Sequence, residues 1–107
     1  MSKFSLKDLE AIIAAKAADD PQTSWTAKLI AGGPEKIAKK LGEEATETII
    51  AALSEDQASF TAESADLLYH WLVLAHAKGV SVEEVFSELE RRTAQSGLAE
   101  KASRKAL

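Results

Sequence analysis

The amino-acid sequence predicts an all-α fold, a bundle of four to five helices. No segment alternates apolar and polar residues with the enrichment in β-branched side chains that is typical of strands. The 107 residues include only two prolines and five glycines, which leaves room for long helices. In addition, helix-capping patterns recur along the chain, and they divide it into the elements described next.

The first predicted helix begins after Ser5, a candidate N-cap residue with Asp8 three positions farther on, as in a capping box. Apolar side chains at helical spacing continue this helix: Leu6, Leu9, Ile12 and Ile13. The following segment, ADDPQTS at residues 18–24, has the composition of a loop. A short helix should follow over about residues 25–31.

Two glycines separate the short helix from a long one. We expect the short helix to stop at Gly32 and Gly33. Pro34 suits the first turn of the next helix, where its missing N–H group costs nothing. This second long helix should run to Leu53.

Two more capping patterns lie in the second half of the chain. Ser54 and Gln57 match a capping box ahead of a third long helix, which we expect to end near Lys78. Ser81 and Glu84 match another box, ahead of the last predicted helix.

Composition places the chain among soluble globular domains. The hydrophobic fraction of 46% argues against disorder, and the absence of cysteine excludes disulfides and thiolate metal sites. A net charge of −4 gives no support to nucleic-acid binding, and no apolar run is long enough for a membrane helix. We therefore expect one domain over residues 1–107, located in the cytoplasm, with neither nucleic acid nor membrane as a partner.

Acidic side chains collect on the two longest predicted helices. Glu43, Glu44 and Glu47 occupy one narrow arc of the second long helix, between two apolar surfaces. Glu63 and Asp66 lie within the most apolar run of the chain, on the third. A single Glu-x-x-Glu or Glu-x-x-Asp pattern is commonly a solvated helix face. Two such patterns on consecutive helices, one of them embedded in leucines, favour a metal site.

The chemistry of such a cluster selects the kind of ion. Two charges about 5 Å apart repel by about 3 kcal/mol at an effective dielectric constant near 20. Burial raises this cost, so that a cation must compensate or the groups must be protonated. Oxygen ligands without cysteine favour a hard ion, Mg²⁺ or Mn²⁺, over Zn²⁺.

The spacing of these acids resembles the signature of the MazG-like superfamily of all-α nucleoside-triphosphate pyrophosphohydrolases. Within it, three segments resemble the phosphoribosyl-ATP pyrophosphohydrolase family: SWTAKLIAGGPEKIAKKLGEEATET, ESADLLYHWLVL and SGLAEKASR. Trp25 stands where the family is expected to have tyrosine, a conservative aromatic change. The resemblance implies a MazG-like helical bundle that hydrolyses phosphoribosyl-ATP to phosphoribosyl-AMP and pyrophosphate, the second step of histidine biosynthesis.

The resemblance also implies roles for the acids. Mg²⁺ is expected to be held by Glu44, Glu47, Glu63 and Asp66, with Mn²⁺ as the other candidate ion. Glu43 is the candidate to orient or deprotonate the attacking water, and Glu47 is its rival. No sequence argument separates the two.

Basic residues flank the acids on both sides. Lysines expected to contact phosphate groups lie ahead of the acids: Lys28, Lys36 and Lys40. The alternative is that these lysines only increase solubility. Residues 97–107 form a basic tail, and the resemblance implies that it covers the ribose-phosphate end of the substrate with Lys101 and Arg104. The alternative there is a frayed terminus.

The third long helix is apolar on nearly every side, and four or five short helices can hardly cover it. We therefore expect a homodimer that completes the bundle, with a site that can borrow residues from the second subunit. Two other functions stay open. One is a house-cleaning hydrolase of canonical or damaged nucleoside triphosphates, and the other is a helical dimerisation module without catalysis.

Overall fold

The computed structural model of the chain describes residues 3–94 and 97–105. These residues form six α-helices and no strand, so the all-α prediction is confirmed. In chain order the helices are α1 (Leu6–Ala17), α2 (Trp25–Gly32), α3 (Pro34–Ser54), α4 (Gln57–Lys78), α5 (Val82–Thr93) and α6 (Gly97–Lys105). The five predicted helices are all present, and part of the tail adds the sixth.

Side-chain caps start several helices where the sequence places them. The Ser5 hydroxyl accepts the Asp8 N–H at 3.2 Å while the Asp8 carboxylate accepts the Ser5 N–H at 2.9 Å, which confirms the predicted capping box. Ser81 caps α5 by accepting the Glu84 N–H at 3.1 Å. These caps satisfy N–H groups that have no partner inside their own helix.

Two glycines adopt backbone conformations that other residues rarely reach. Gly33 (φ 91°) joins α2 directly to α3, and Pro34 then opens α3 as predicted. Gly79 ends α4 in the left-handed conformation (φ 72°). Gly33 thus precedes the start of α3 and Gly79 follows the end of α4, the two helices that carry the acidic side chains.

The predicted capping box at the start of α4 is wrong. The Ser54 hydroxyl donates instead to the carbonyl of Ile50 at 2.8 Å, inside the last turn of α3. Asp56 is the N-cap, because its carboxylate accepts the Ser59 N–H at 2.8 Å. Since Asp, like Ser, caps helices well, the sequence spacing alone could not decide between the two residues.

The core is small and draws on five of the six helices. Its buried side chains are Ile13, Leu29, Ile37, Leu72, Val73 and Val82. The most extensive helix pairing is that of α3 with α4, and α1 and α2 pack against this pair. As a result, α3 and α4 are held side by side along most of their length. α5 packs against α1, and α6 packs against α5.

The α3–α4 pair also presents apolar side chains to solvent. Large exposed hydrophobic residues on these two helices are Ile49, Ile50, Leu53, Phe60 and Leu68. The prediction that one chain cannot cover α4 agrees with the exposure of Leu68, whose exposed fraction is 48%. None of the helices in the described ranges combines the length and the apolar character needed to cross a membrane.

The role of Asp56 as the N-cap of α4 leads to a first prediction. Asp56→Ala should lower the melting temperature by several degrees, because it leaves the Ser59 N–H without its side-chain partner. Ser54→Ala, the matched control, should lower it less. Thermal unfolding followed by circular dichroism measures both, and an equal or larger loss in Ser54→Ala would contradict Asp56 as the cap.

The contribution of Asp56 to stability should depend on pH. Its hydrogen bonds with Ser59 lower the pKa of Asp56 in the folded protein. The carboxylate therefore stabilises the fold above its unfolded-state pKa of about 3.9. This contribution is lost as the pH falls through the lower folded-state pKa. The difference in melting temperature between wild type and Asp56→Ala should accordingly narrow below pH ~4.

Candidate metal centre

Three carboxylates converge where α3 and α4 pack together. Glu44 comes from α3, and Glu63 and Asp66 come from α4. One oxygen from each of them lies within 4.8 Å of the others. Because Glu63 and Asp66 are three residues apart on one helix, they lie on neighbouring positions of the same face. The packing of α4 against α3 then brings that face to Glu44.

The burial of this cluster bears on whether it fits a metal ion. The exposed fraction of Glu44 is only 4%. One oxygen of Glu44 and one of Glu63, Oε2 in each case, are buried without a hydrogen-bond partner. A buried carboxylate oxygen without a partner is costly, and a coordinated cation is one partner that removes the cost. The three acids therefore fit a hard divalent ion such as Mg²⁺ or Mn²⁺.

Glu47 lies beside the three converging acids. Its carboxyl group hydrogen-bonds with Glu63, and this bond is the largest cause of a raised pKa at Glu63. Partial burial raises the Glu63 pKa further, as do the negative charges of Glu47, Glu44 and Asp66. The structure thus brings Glu47 into contact with Glu63, and its role as a fourth ligand stays a prediction.

One cation of the chain already sits against the cluster. The Lys40 ammonium is 3.3 Å from Oε1 of Glu44 and 4.0 Å from Oε1 of Glu43. The hydrogen bond to Glu44 and the charges of Glu44, Glu43 and Glu47 raise the pKa of Lys40. A single ammonium group leaves most of the negative charge of the cluster uncompensated.

Glu43 occupies the outer side of this group. Its side chain is half exposed, and its carboxylate lies against the Lys40 ammonium group. The structure therefore separates Glu43 from Glu47 by environment, although both lie on α3. Their roles toward an attacking water stay predictions.

His70 is buried one turn after Asp66 on α4. The Trp25 indole N–H donates to Nε2 of His70 at 3.4 Å, and Nδ1 of His70 lies 2.7 Å from the backbone carbonyl of Asp66. Because Nε2 accepts, Nδ1 carries the proton and donates to that carbonyl. His70 is thus a satisfied core residue, and it contacts the backbone of Asp66 rather than a carboxylate.

The link from Trp25 to His70 was not predicted from sequence. The two residues are 45 positions apart, and only the packing of α2 against α4 brings them together. Thr26 and Tyr69 form a second hydrogen bond between the same two helices. No periodicity in a single sequence encodes such pairs.

The remaining predicted site residues lie outside the acidic cluster. Lys28 is exposed and lines an open cleft of about 600 Å³ together with Trp25. Lys36 is exposed near the start of α3, beside Gly32. Lys101 and Arg104 are exposed on α6, which packs against α5. Contact of these four side chains with a substrate stays a prediction.

A family model described as phosphoribosyl-ATP pyrophosphohydrolase matches residues 6–93, a range that includes every acid of the cluster. The chain belongs to the phosphoribosyl-ATP pyrophosphohydrolase family. The family resemblance of the sequence is therefore confirmed.

Curated relatives in this family match nearly the full length of the chain, and each is named phosphoribosyl-ATP pyrophosphatase. The relative from Agrobacterium fabrum is 58% identical over 97% of this chain and 97% of its own length. That from Allorhizobium ampelinum is 58% identical over 97% of this chain and 100% of its own. That from Methylobacterium nodulans is 57% identical over 98% of both.

The close approach of the acids on α3 and α4 leads to a second prediction. Glu63→Gln removes one negative charge from the cluster and should raise the melting temperature of the metal-free protein at neutral pH. The same substitution should abolish stabilisation by Mg²⁺. An ion at about 100 times its Kd stabilises the folded state of a protein that binds it by about 2.7 kcal/mol.

Glu90→Gln is the matched control, since Glu90 is an exposed acid on α5. It should leave the metal-free melting temperature nearly unchanged and keep the Mg²⁺-dependent increase. Thermal unfolding with and without Mg²⁺ measures both variants. A Glu63→Gln protein that Mg²⁺ stabilises as strongly as wild type would contradict a cation site at this cluster.

Proposed function

We propose that the chain catalyses the Mg²⁺-dependent hydrolysis of phosphoribosyl-ATP to phosphoribosyl-AMP and pyrophosphate, the second step of histidine biosynthesis, in the cytoplasm. The names of its relatives support the substrate and the reaction class. The observation that carries the metal requirement is the convergence of Glu44, Glu63 and Asp66 with two buried carboxylate oxygens that lack partners.

Glu44, Glu63 and Asp66 would hold Mg²⁺, with Glu47 as the fourth ligand. Mn²⁺ is the other ion that this set of oxygens suits. When bound, such an ion supplies positive charge to the phosphate oxygens and to the leaving pyrophosphate, and it lowers the pKa of water. The substrate is a triphosphate, and it approaches a cluster that is itself negative. An acidic site of this kind suits a substrate of the same sign only when cations lie between them.

We assign the transfer of a proton from the attacking water to an acid beside the cluster. Water attacks the α-phosphorus, the bond from that phosphorus to the α–β bridging oxygen breaks, and pyrophosphate leaves with this oxygen. Glu43 or Glu47 accepts the proton that the water loses. The Glu43 carboxylate lies next to Lys40, whereas the Glu47 carboxylate lies against Glu63. Both residues lie on α3 within three positions of Glu44, so both stay candidates.

Cationic side chains would bind the anionic oxygens of the substrate. Lys40 contacts the centre directly, since its ammonium group is 3.3 Å from Oε1 of Glu44. Lys28 lies on the open cleft beside Trp25, and Lys36 lies near the start of α3. We propose that Lys101 and Arg104 bind the ribose-phosphate end of the substrate. Their exposure on α6 supports this role, because it leaves both side chains accessible.

The exposed apolar side chains of α3 and α4 support a homodimer. Ile49, Ile50 and Leu68 are each about half exposed or more, although they belong to the two helices at the centre of the bundle. Where exposed apolar side chains form a large patch, that patch commonly marks a protein–protein interface. A second copy of the chain would cover it and complete the bundle.

The proposed reaction gives a third prediction. Purified protein should release pyrophosphate from phosphoribosyl-ATP only when Mg²⁺ is present, and faster than from any nucleoside triphosphate in a panel of dATP, dGTP, dCTP and dTTP. Glu47→Gln should lower kcat about 100-fold or more, since general acid–base groups contribute that much. Full activity of Glu47→Gln would exclude Glu47 from both roles proposed for it.

The panel also separates the other functions. A preference for a deoxynucleoside triphosphate would indicate a house-cleaning hydrolase. The absence of turnover on all substrates, together with the absence of Mg²⁺ binding by calorimetry, would indicate a non-catalytic dimerisation module. Either result would overturn the proposed function.

The dimer gives a fourth prediction. Sedimentation equilibrium at micromolar concentration should give a dimer for wild type. Leu68→Glu on α4 should give a monomer, because it places a charge on the proposed interface. Leu89→Glu on α5 is the matched control, since the exposed fractions of the two leucines are 48% and 50%. A monomeric wild type would contradict the dimer, and a dimeric Leu68→Glu protein would contradict an interface that includes Leu68.

A further inference from the structure

Thr48 joins the two helices that carry the acids. Its hydroxyl group lies 2.7 Å from the backbone carbonyl of Glu44, one turn earlier on α3. The same hydroxyl lies 3.1 Å from the backbone carbonyl of Glu63 on α4. A threonine hydroxyl has one proton, so the two carbonyls share it in a three-centre hydrogen bond. The side chain itself is half-buried.

The two carbonyls belong to two of the three converging acids. Glu44 and Glu63 are the residues whose Oε2 atoms are buried without a hydrogen-bond partner. The Thr48 hydroxyl therefore ties together the backbones of two acids that repel each other. Its branched side chain has few rotamers in a helix, so the contact adds a stiff connection between α3 and α4 at this level.

The hydroxyl groups of the other threonines on these helices bond only to a carbonyl one turn earlier on the same helix. The Thr46 hydroxyl donates to the carbonyl of Gly42 at 3.1 Å, and the Thr61 hydroxyl donates to that of Gln57 at 2.9 Å. Both bonds stay within one helix and are exposed to solvent. Bonds of this local kind are common and connect nothing across helices. The second acceptor distinguishes Thr48 from Thr46 and Thr61.

We propose that Thr48 is a positioning residue for the divalent-cation centre, one that sets the separation of α3 and α4 at Glu44 and Glu63. This inference rests on the cation binding proposed above. Mg²⁺ requires near-ideal octahedral geometry at 2.0–2.1 Å, so a small shift of one helix against the other disturbs the ligand set. Groups that orient metal ligands typically change metal affinity 10- to 100-fold when they are removed.

The fifth prediction follows from this role. Thr48→Val keeps the shape of the side chain and removes the hydroxyl. Both carbonyls stay in regular helix, where the backbone N–H four residues later is their ordinary partner. We expect this variant to bind Mn²⁺ with a Kd about tenfold higher than wild type, measured by electron paramagnetic resonance of free Mn²⁺. Thr48→Ser restores the hydroxyl and should return the Kd to within about twofold of wild type.

Thr46→Val is the matched control, because it removes a hydroxyl from the same helix that reaches only within α3. It should leave the Mn²⁺ Kd unchanged. Mn²⁺ binding is measured well below the metal-free melting temperatures of Thr46→Val and Thr48→Val, so that both variants are folded, which separates positioning of the ligands from general stability. Should Thr48→Val not fold, Thr48→Ala removes the same hydroxyl and should show the same loss of affinity.

Two outcomes overturn the inference, and they differ. Saturable Mn²⁺ binding by wild type with an equal Kd in Thr48→Val, or in Thr48→Ala, overturns the positioning role alone. The absence of saturable Mn²⁺ binding by wild type overturns the cation site as well as the role of Thr48 in it.

Discussion

Electrostatic repulsion among the carboxylates of α3 and α4 is the constraint that the rest of the structure has to meet. Glu44, Glu63 and Asp66 each bring an oxygen to within 4.8 Å of the others, and Glu44 is buried. Nothing in the acids themselves favours this arrangement. It is maintained because the core side chains of five helices hold α3 and α4 side by side. The burial of apolar surface in the core thus offsets the repulsion among these carboxylates, an arrangement that is unfavourable by itself.

The compensating interactions are arranged around this cluster at several levels. Lys40 provides one positive charge at Glu44, and contact with Glu47 raises the pKa of Glu63. Thr48 and His70 act on the backbone, since they contact carbonyl groups of the acids. The contacts of Thr48 and His70 do not involve the carboxylate oxygens, which are the atoms that a cation needs. Family membership then connects such a centre with hydrolysis of a triphosphate substrate.

Much of this could be predicted from the sequence, because it depends on local patterns. Helical periodicity and capping residues predict the five helices, and the pattern of acids on consecutive helices predicts that they meet. The features that the sequence did not predict depend on a choice between two neighbouring residues or on contacts between residues far apart in the chain. Asp56 rather than Ser54 caps α4, although both types of residue cap helices well. The cross-helix contact of Thr48 and the link from Trp25 to His70 depend on packing that no single-sequence pattern describes.

Anomalous diffraction from crystals soaked in Mn²⁺ tests the central claim most directly, since it locates the ion and its ligands together. A manganese peak within coordination distance of oxygens from Glu44, Glu63 and Asp66 is the predicted result. A map without a peak at this position, with the three carboxylates directed away from one another into solvent, would contradict the account.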